Sequence, residues 1–411
     1  MTSTGAEDDT HPRPPDRAGA LHGIRVLDLT SVVMGPLATQ VLGDLGAEVI
    51  TIEDRAGDAN RSIGAGPVPG LSGMALNLMR NKRSVGLDLK DERGRAAFLA
   101  IAATCDVVVT NLRPGPLRRL RLAYDDVRAV RPDVVFCQAA GFPSDSDRAD
   151  DAAYDDVIQS ASGICDLARR MGGDPMPVPT ILADKVSGYA IVTAVLAALF
   201  HRSVTGAGQR VEVPMVETMT SFVLVEHGVG SIPEPQLGSP GHRRLLTEHR
   251  RPQRTLDGWV HVFPYDERSY RCLFEGAGRP DLADDRITTP QRRLEHIEQL
   301  YRDVATVMAS KTTADWLAFC RANSIAASEV AQLEDVVDAL PLADHPHAGP
   351  YRVVPAPFRL DATPPSVRRP APLHGEHGRE VLAEVGLAAE DVAALAADGV
   401  LFGSGLADVP D

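Results

Sequence analysis

The sequence predicts an α/β protein: a mainly parallel sheet with helices on both faces, followed by a smaller second unit. Three observations carry that expectation. Short β-branched runs alternate with helical stretches from Ile24 onward, the pattern that buries parallel strands beneath crossover helices. The junctions between them hold turn and capping residues where such a fold needs them. From about Ser231 the texture changes to aperiodic, Pro- and Gly-rich sequence, "SIPEPQLGSPGHRR", as in a linker or a long loop. At 411 residues the chain is too long for one typical core, so two domains, or a large domain with a smaller one inserted, are expected.

Taken in order, "IRVLDL" (Ile24 to Leu29) is the first strand, and "TSVVMGP" is the bend after it. A helix follows over "PLATQVLGDLG", with Pro36 in its first turn and Gly46 as its stop. "EVITIE" (Glu48 to Glu53) completes a β-α-β unit. The pattern then repeats: strand "SVGLDL", Asp91 as N-cap, helix "ERGRAAFLAIAATC", and strands "DVVVTN" and "DVVFCQAAGF". A β-α-β unit at this position invites a dinucleotide reading, with Glu53 on the ribose. The bend has one glycine and a proline where G-x-G-x-x-G needs three glycines, so that reading is set aside. The apolar stretch "AIVTAVLAALF" ends at Gly206, a helix stop, before the strand "QRVEVPM". "TLDGWVHVFP" reads as a hairpin around Asp257-Gly258, with helical stretches after it to about Ala327. A Pro-rich extended passage and two helices, around "GREVLAEVGL" and "AEDVAALAADGVL", close the chain.

Composition narrows the function classes. A net charge of -14 argues against a nucleic-acid or polybasic membrane-surface partner. The five cysteines are scattered, without a CxxC pair or zinc spacing, and read as small buried hydrophobes; no metal is expected. Residues 1–22 lack the apolar core of a signal peptide and read as a disordered tail. The apolar stretch from Tyr189 to Phe200 is shorter than the roughly 18 residues of a membrane span, so a cytoplasmic, soluble protein is expected.

Two loops concentrate positive charge. "LMRNKRSVGLDLK" holds Arg80, Lys82 and Arg83 just before a strand, and "NLRPGPLRRL" holds Arg113, Arg118 and Arg119 just after one. Three close cations hold phosphates by charge-assisted hydrogen bonds, and open α/β sheets bind ligands at strand C-termini, so an anionic ligand is expected; a solvated turn is the plainer alternative for the first loop. Asp184 opens the apolar helix. Asp is a strong N-cap, and a helix N-terminus also favours ionised carboxylate, the form a nucleophile needs. Capping and catalysis are compatible there.

The succession "VLDLTSVVMGPLATQVLGDLGAEVITIE", "RNKRSVGLDLK", "DVVVTNLRPG", "YDDVIQSASG", "ADKVSGYAIVTAVLAALFHRSVTGAGQRVEVPM", "RTLDGWVHV", "TTADWL" and "PLHGEHGREVLAEVGL" resembles the family III CoA-transferases, the formyl-CoA and carnitine CoA-transferase group. The resemblance implies a doubly wound large domain over 23–230, a small α+β domain with linkers over 231–330, and a C-terminal return to the large domain over 331–411. It implies an interlocked homodimer acting on an acyl-CoA and a carboxylic acid, with no cofactor beyond CoA. Asp184 falls on the family's catalytic aspartate. That carboxylate attacks the donor thioester to give an aspartyl anhydride, CoA thiolate converts it to an aspartyl-CoA thioester, and the acceptor acid resolves it. Val32, Val33 and Met34 match the family's first CoA loop; Lys82, Arg83, Asn111, Leu112 and Arg119 match positions that hold the nucleotide and its phosphates, and Tyr154 is grouped with them. The related α-methylacyl-CoA racemases carry His where this chain has Tyr154, and a phenol is a poor proton acceptor at neutral pH. Transfer is therefore favoured over racemisation. A silent CoA-binding subunit is the third reading, motivated by Pro143 in "GFP" and the acidic "DSDRADD". Arg121 also departs from the family, standing where glycine is usual.

Overall fold

A computed structural model of the chain describes residues 19–406, so the expected tail falls mostly outside the described residues. Residues 19–22 are a turn rather than tail, with the Leu21 amide donating to the Leu45 carbonyl at 2.9 Å. The chain divides into two compact units. The first runs through Tyr154 and takes in Leu182–Thr218 and everything from Pro341 on; the second comprises Asp155–Ile181 and Met219–Leu340. Residues 155–181, which sequence texture groups with the large domain, thus belong to the second unit.

In chain order the first unit builds β1 (Arg25–Leu29), α1 (Met34–Asp44), β2 (Glu48–Glu53), α2 (Gly73–Leu78), β3 (Lys82–Leu87), α3 (Glu92–Ala103), β4 (Val107–Thr110), α4 (Pro114–Leu120), α5 (Tyr124–Arg128) and β5 (Val135–Ala140). After α6 (Asp155–Ala161) and α7 (Ile164–Arg170) of the second unit, α8 (Ala183–Thr205) and β6 (Gln209–Pro214) complete the crossover. The sheet order is β12-β3-β2-β1-β4-β5-β6, where β12 is Leu401–Phe402. All pairs are parallel except β12 with β3, an antiparallel edge that local pattern did not reveal. Leu27 pairs with Ile50 on one side and Val108 on the other, so strand order reverses between β1 and β4. Open sheets of this kind bind ligands at that reversal, outside the strand C-termini.

The expected caps are present. Asp91 accepts from the Arg93 amide at the start of α3, and Gly206 ends α8 at φ 76°, a left-handed value that favours glycine. One face of the sheet is covered by α3, α15 (Gly378–Glu384) and α16 (Ala389–Ala397), whose Phe98, Ile101, Val381, Leu382 and Leu395 pack on Leu27, Ile50, Val85 and Val108. On α8, Ile191, Val192, Val195, Ala198 and Leu199 are buried. At 23 residues α8 is long and apolar enough to cross a membrane by length and composition, which corrects the shorter stretch expected above; here it packs along α1 and β6.

The second unit continues with α9 (Met215–His227), whose first turn belongs to the first unit, and a three-stranded antiparallel sheet, β7 (Gln253–Arg254), β8 (Trp259–Phe263) and β9 (Ala326–Glu329). The β7–β8 hairpin turns through Asp257-Gly258 as expected. Helices α10 (Glu267–Gly276), α11 (Pro290–Glu295), α12 (Ile297–Met308), α13 (Thr313–Ala322) and α14 (Leu333–Asp338) follow. Val260, Tyr270, Phe274, Leu300 and Trp316 form this unit's own core. The chain then returns to the first unit through the hairpin β10 (Leu342–His345) and β11 (Gly349–Arg352).

Candidate active site

A cleft of about 550 Å³ opens at the C-terminal edge of the large sheet. Its walls are the ends of four parallel strands and their loops: Leu29 to Ser31 after β1, Ile52 to Asp58 after β2, Leu87 to Lys90 after β3, and Asn111 and Leu112 after β4, with Leu120 and Phe402 closing the sides. Asn111 is fixed by a reciprocal pair, donating to the Ser31 carbonyl at 2.8 Å and accepting from the Ser31 amide at 3.1 Å. The pair joins the two strands that flank the reversal. Arg55 lies over the Phe402 ring, 4.6 Å from its centroid. A groove of about 380 Å³ adjoins the cleft, since Leu89, Lys90 and Leu120 line both, and it carries Arg95, Arg119 and Arg121.

The cations expected from the first basic loop are elsewhere. Lys82 and Arg83 are the first residues of β3 rather than part of a loop before it, at the end of the sheet opposite the cleft. Lys82 is 1% exposed; its Nζ donates to Asp28 at 2.9 Å, Thr39 Oγ1 at 2.7 Å and the Pro36 carbonyl at 3.1 Å. Arg83 is held by Glu48, Glu380 and Glu384, and although burial works against its charge, those carboxylates raise the guanidinium above its ordinary value. Arg80 is buried against Asp44 at 2.6 Å. All three are committed to structural ion pairs, so they are not phosphate ligands in this conformation. The cations at the cleft are Arg55 and Lys90. Arg55 stands two residues after β2, in "IEDR", and Lys90 three after β3, in "LDLK", and the strand-end rule applied to these strands points to them.

Part of the second basic loop lies at the cleft. Asn111 and Leu112 line the cleft and Arg119 lines the adjoining groove. Arg113 and Arg118 are drawn off by Asp150 of the acidic "DSDRADD" segment: Arg113 donates to its carbonyl at 2.6 Å, and Arg118 lies 3.5 Å from its carboxylate. Asp150 also accepts from the Gly115 amide at 2.6 Å, at the start of α4. Arg121 ends α4 at φ 53°, a left-handed residue, which is the physical reason glycine suits that position.

The β1–α1 turn is strained. Val32 has φ 69°, a region β-branched residues avoid, and its carbonyl accepts from the side chain of Asn60. Asn60 is fully buried, held by Asp58, which accepts its amide at 2.7 Å, and by Ser72, which donates to its carbonyl. Burial pushes the Asp58 carboxyl up to about 6, despite that bond and the nearby Lys82 charge. Burial also raises Glu53, but Arg61, bonded at 2.5 and 2.6 Å, and Ser84 bring its carboxyl below the ordinary range. Val33 is the N-cap of α1 and Met34 its first residue; both are buried.

Asp184 is not the N-cap of α8. The cap is Leu182, and Asp184 lies inside the first turn, 8% exposed. Gly188, one turn on and on the same face, lies so close to α1 that a Cβ there would stand 2.8 Å from the Met34 carbonyl oxygen. The face of α8 that carries Asp184 therefore crosses α1 at its first turn, four residues beyond the Thr30 that lines the cleft. Asp184 does not itself line the cleft. Tyr154 is 70% exposed, immediately before α6, and also outside the cleft lining. The cysteines are free, and burial raises the Cys105 and Cys137 thiols to about 12, so neither is a thiolate at neutral pH.

Known proteins resemble this chain along most of its length. The "Probable fatty acyl-CoA transferase Rv3272" of Mycobacterium tuberculosis is 31% identical, the match covering 89% of this chain and 98% of that protein. Its crystal structure superposes with a TM-score of 0.75 at 30% identity, covering 88% of this chain and 98% of that one. The succinate–glutarate CoA-transferase of Agrobacterium fabrum is 30% identical over 90% of this chain and 97% of its own length, and the formyl-CoA:oxalate CoA-transferase of Streptomyces avermitilis is 30% identical over 93% and 99%. The model of CoA-transferase family III matches residues 21–378, from before β1 to the start of α15. With the fold, the cleft and the match in agreement along the chain, this protein belongs to CoA-transferase family III and is a CoA-transferase.

Proposed function

We propose that this enzyme moves CoA from an acyl-CoA donor to a carboxylic acid through covalent intermediates on Asp184, and that the cleft of β1 to β4 receives the CoA. The observation that carries the reading is the position of Asp184: a nearly buried carboxylate in the first turn of a long helix, on the face that packs against the head of α1. A helix N-terminus favours negative charge, and a nucleophilic carboxylate must be ionised. Asp184 attacks the thioester carbonyl, expelling CoA thiolate and leaving an acyl-aspartyl anhydride. The thiolate adds to the aspartyl carbonyl and releases the donor acid, giving aspartyl-CoA. The acceptor carboxylate then attacks the aspartyl-CoA carbonyl and displaces the thiolate to form a second mixed anhydride, and the thiolate attacks the acceptor's carbonyl carbon, giving the new acyl-CoA with the Asp184 carboxylate as leaving group. Throughout, the cycle conserves one activated acyl bond and requires no group besides CoA. Arg55, Lys90 and Arg119 supply positive charge for the nucleotide, while Asn111, Leu112 and the turn at Val32 to Met34 shape its seat.

Succinate, glutarate and oxalate, the acids in the relatives' names, form the first acceptor panel, with their CoA esters as donors. Hydroxylamine trapping followed by peptide mass should place the adduct on Asp184 and lose it in Asp184→Ala. Exchange of α-protons with deuterated solvent, without an adduct, would sink the reading and favour a racemase. The homodimer belongs to the same proposal, supported by Phe200 and Val204, 72% and 71% exposed on α8. Light scattering should return twice the 43.9 kDa chain mass; a monomer at micromolar concentration would contradict it.

A further inference from the structure

Residues 242–254 of the second unit, "HRRLLTEHRRPQR", hold five arginines and one carboxylate in a protein whose net charge is -14. Two of the five converge on one aromatic ring. The Arg244 guanidinium lies 4.7 Å from the Phe263 centroid and 4.8 Å from that of Tyr265, and Arg250 lies 4.8 Å from Phe263. Their charges are thus separated by no more than about the 10 Å over which salt screens them. Neither has an ion-pair partner among the described residues. An aromatic face attracts each cation but does nothing to cancel their mutual repulsion.

The same place gathers donors without acceptors. The Tyr270 and Tyr301 hydroxyls and Arg244 Nε are buried and have no hydrogen-bond partner among the described residues. Tyr270 is fully buried on α10 and Tyr301 is 5% exposed on α12. Burial chiefly raises the Tyr270 phenol, so it keeps its proton and remains a donor; Tyr301, Arg244, Arg293 and Arg250 are the charged or ionisable groups acting on it. Buried polar groups are normally satisfied, and a set of exceptions in one place calls for a partner. Two guanidinium charges, an N–H and two O–H groups lack one thing in common: negatively charged acceptor oxygens.

We propose that the small unit carries a binding site for a small oxyanion, a carboxylate or phosphoryl group, held by Arg244 and Arg250 and hydrogen-bonded by Tyr270 and Tyr301. Phe263 and Tyr265 fix the planes of the guanidiniums. The site is separate from the transferase reading, since it involves none of the residues that line the large-sheet cleft.

The two tryptophans of the chain, Trp259 and Trp316, both lie in this unit, and Trp316 shares a core with Tyr270, so intrinsic fluorescence reports on it selectively. Full-length protein is titrated with glutarate and with inorganic phosphate at constant ionic strength. A saturable change is expected, weakened at least tenfold in Arg244→Gln/Arg250→Gln and severalfold in Tyr270→Phe, with Arg244→Lys intermediate. A response to glutarate alone identifies a carboxylic acid as the source, and a response to phosphate alone identifies a phosphoryl group. Circular dichroism and melting confirm that each variant is folded. No saturable response to either anion, or equal affinity in parent and folded double variant, overturns the proposal. Trapping at Asp184 in the same preparation keeps the two readings apart, because an adduct without anion binding sinks this site and leaves the transferase intact.

Discussion

At the scale of single residues, two lysines eight positions apart separate scaffold from site. Lys82 neutralises Asp28 in the core beside Thr39, whereas Lys90 stands at the cleft. Lys82→Met leaves Asp28 buried and uncompensated, and should cost on the order of 3–5 kcal/mol of stability by denaturant melting. Lys90→Met should leave the melting curve unchanged and raise KM for acyl-CoA about tenfold, the loss of roughly 1.4 kcal/mol of binding. The reverse pattern would restore Lys82 as a phosphate ligand. Asn60 acts on the backbone instead, because its bond to the Val32 carbonyl holds a left-handed valine that costs about 1–3 kcal/mol. Asn60→Ala should raise KM for acyl-CoA more than it lowers kcat, because the turn relaxes. Glycine adopts that backbone without strain, so Val32→Gly added to Asn60→Ala should recover most of the loss. If the double variant is no better than the single, the turn is held by something else.

At the scale of elements, the contact between α1 and α8 decides where Asp184 stands. Gly188→Ala puts a methyl 2.8 Å from a backbone oxygen, which cannot swing aside as a side chain would. The helices must part, at a cost of about 1–3 kcal/mol. Steady-state kinetics should show kcat falling by more than the melting shift explains, because Asp184 moves with α8; an unchanged kcat would show that this packing does not position it. Strands and helices of the large unit were legible because β-branched runs, Pro36, Asp91, Gly46 and Gly206 mark their ends by local chemistry. The start of β3 was not. Lys82 and Arg83 look like loop residues, and only pairing with Val49 and Ile50, and carboxylates as distant as Glu380 and Glu384, makes a strand bury them. The role of Asp150 was hidden likewise, since its partners lie some 35 residues away at the head of α4.

At the scale of the molecule, the C-terminal return is tied to the first strands by charge. Glu384 on α15 bonds Arg83 at 2.6 and 2.9 Å and Arg25 at 2.6 Å, and those arginines, Arg83 foremost, hold its carboxyl below the ordinary value of 4.5. Because the folded value is depressed, this stabilisation is complete above the ordinary Glu pKa and disappears as pH falls through the lower, folded one. Glu384→Gln should therefore lower the melting temperature at pH 7, and the difference from the parent should shrink as the pH falls progressively below the ordinary value of 4.5; a difference that stays constant on acidification would deny the linkage. The family and the sheet were readable from one chain, because order and spacing of motifs survive without coordinates, and the same order singled out Asp184 for the test proposed above. The cleft lining was not, since Phe402 comes from the far end of the sequence, where two residues of β12 pair with Leu87 and Gly86 and place a ring beneath Arg55. A chain cut just before Leu401 keeps the helix that carries Asp184 and loses one side wall of the cleft, a doorway missing a jamb.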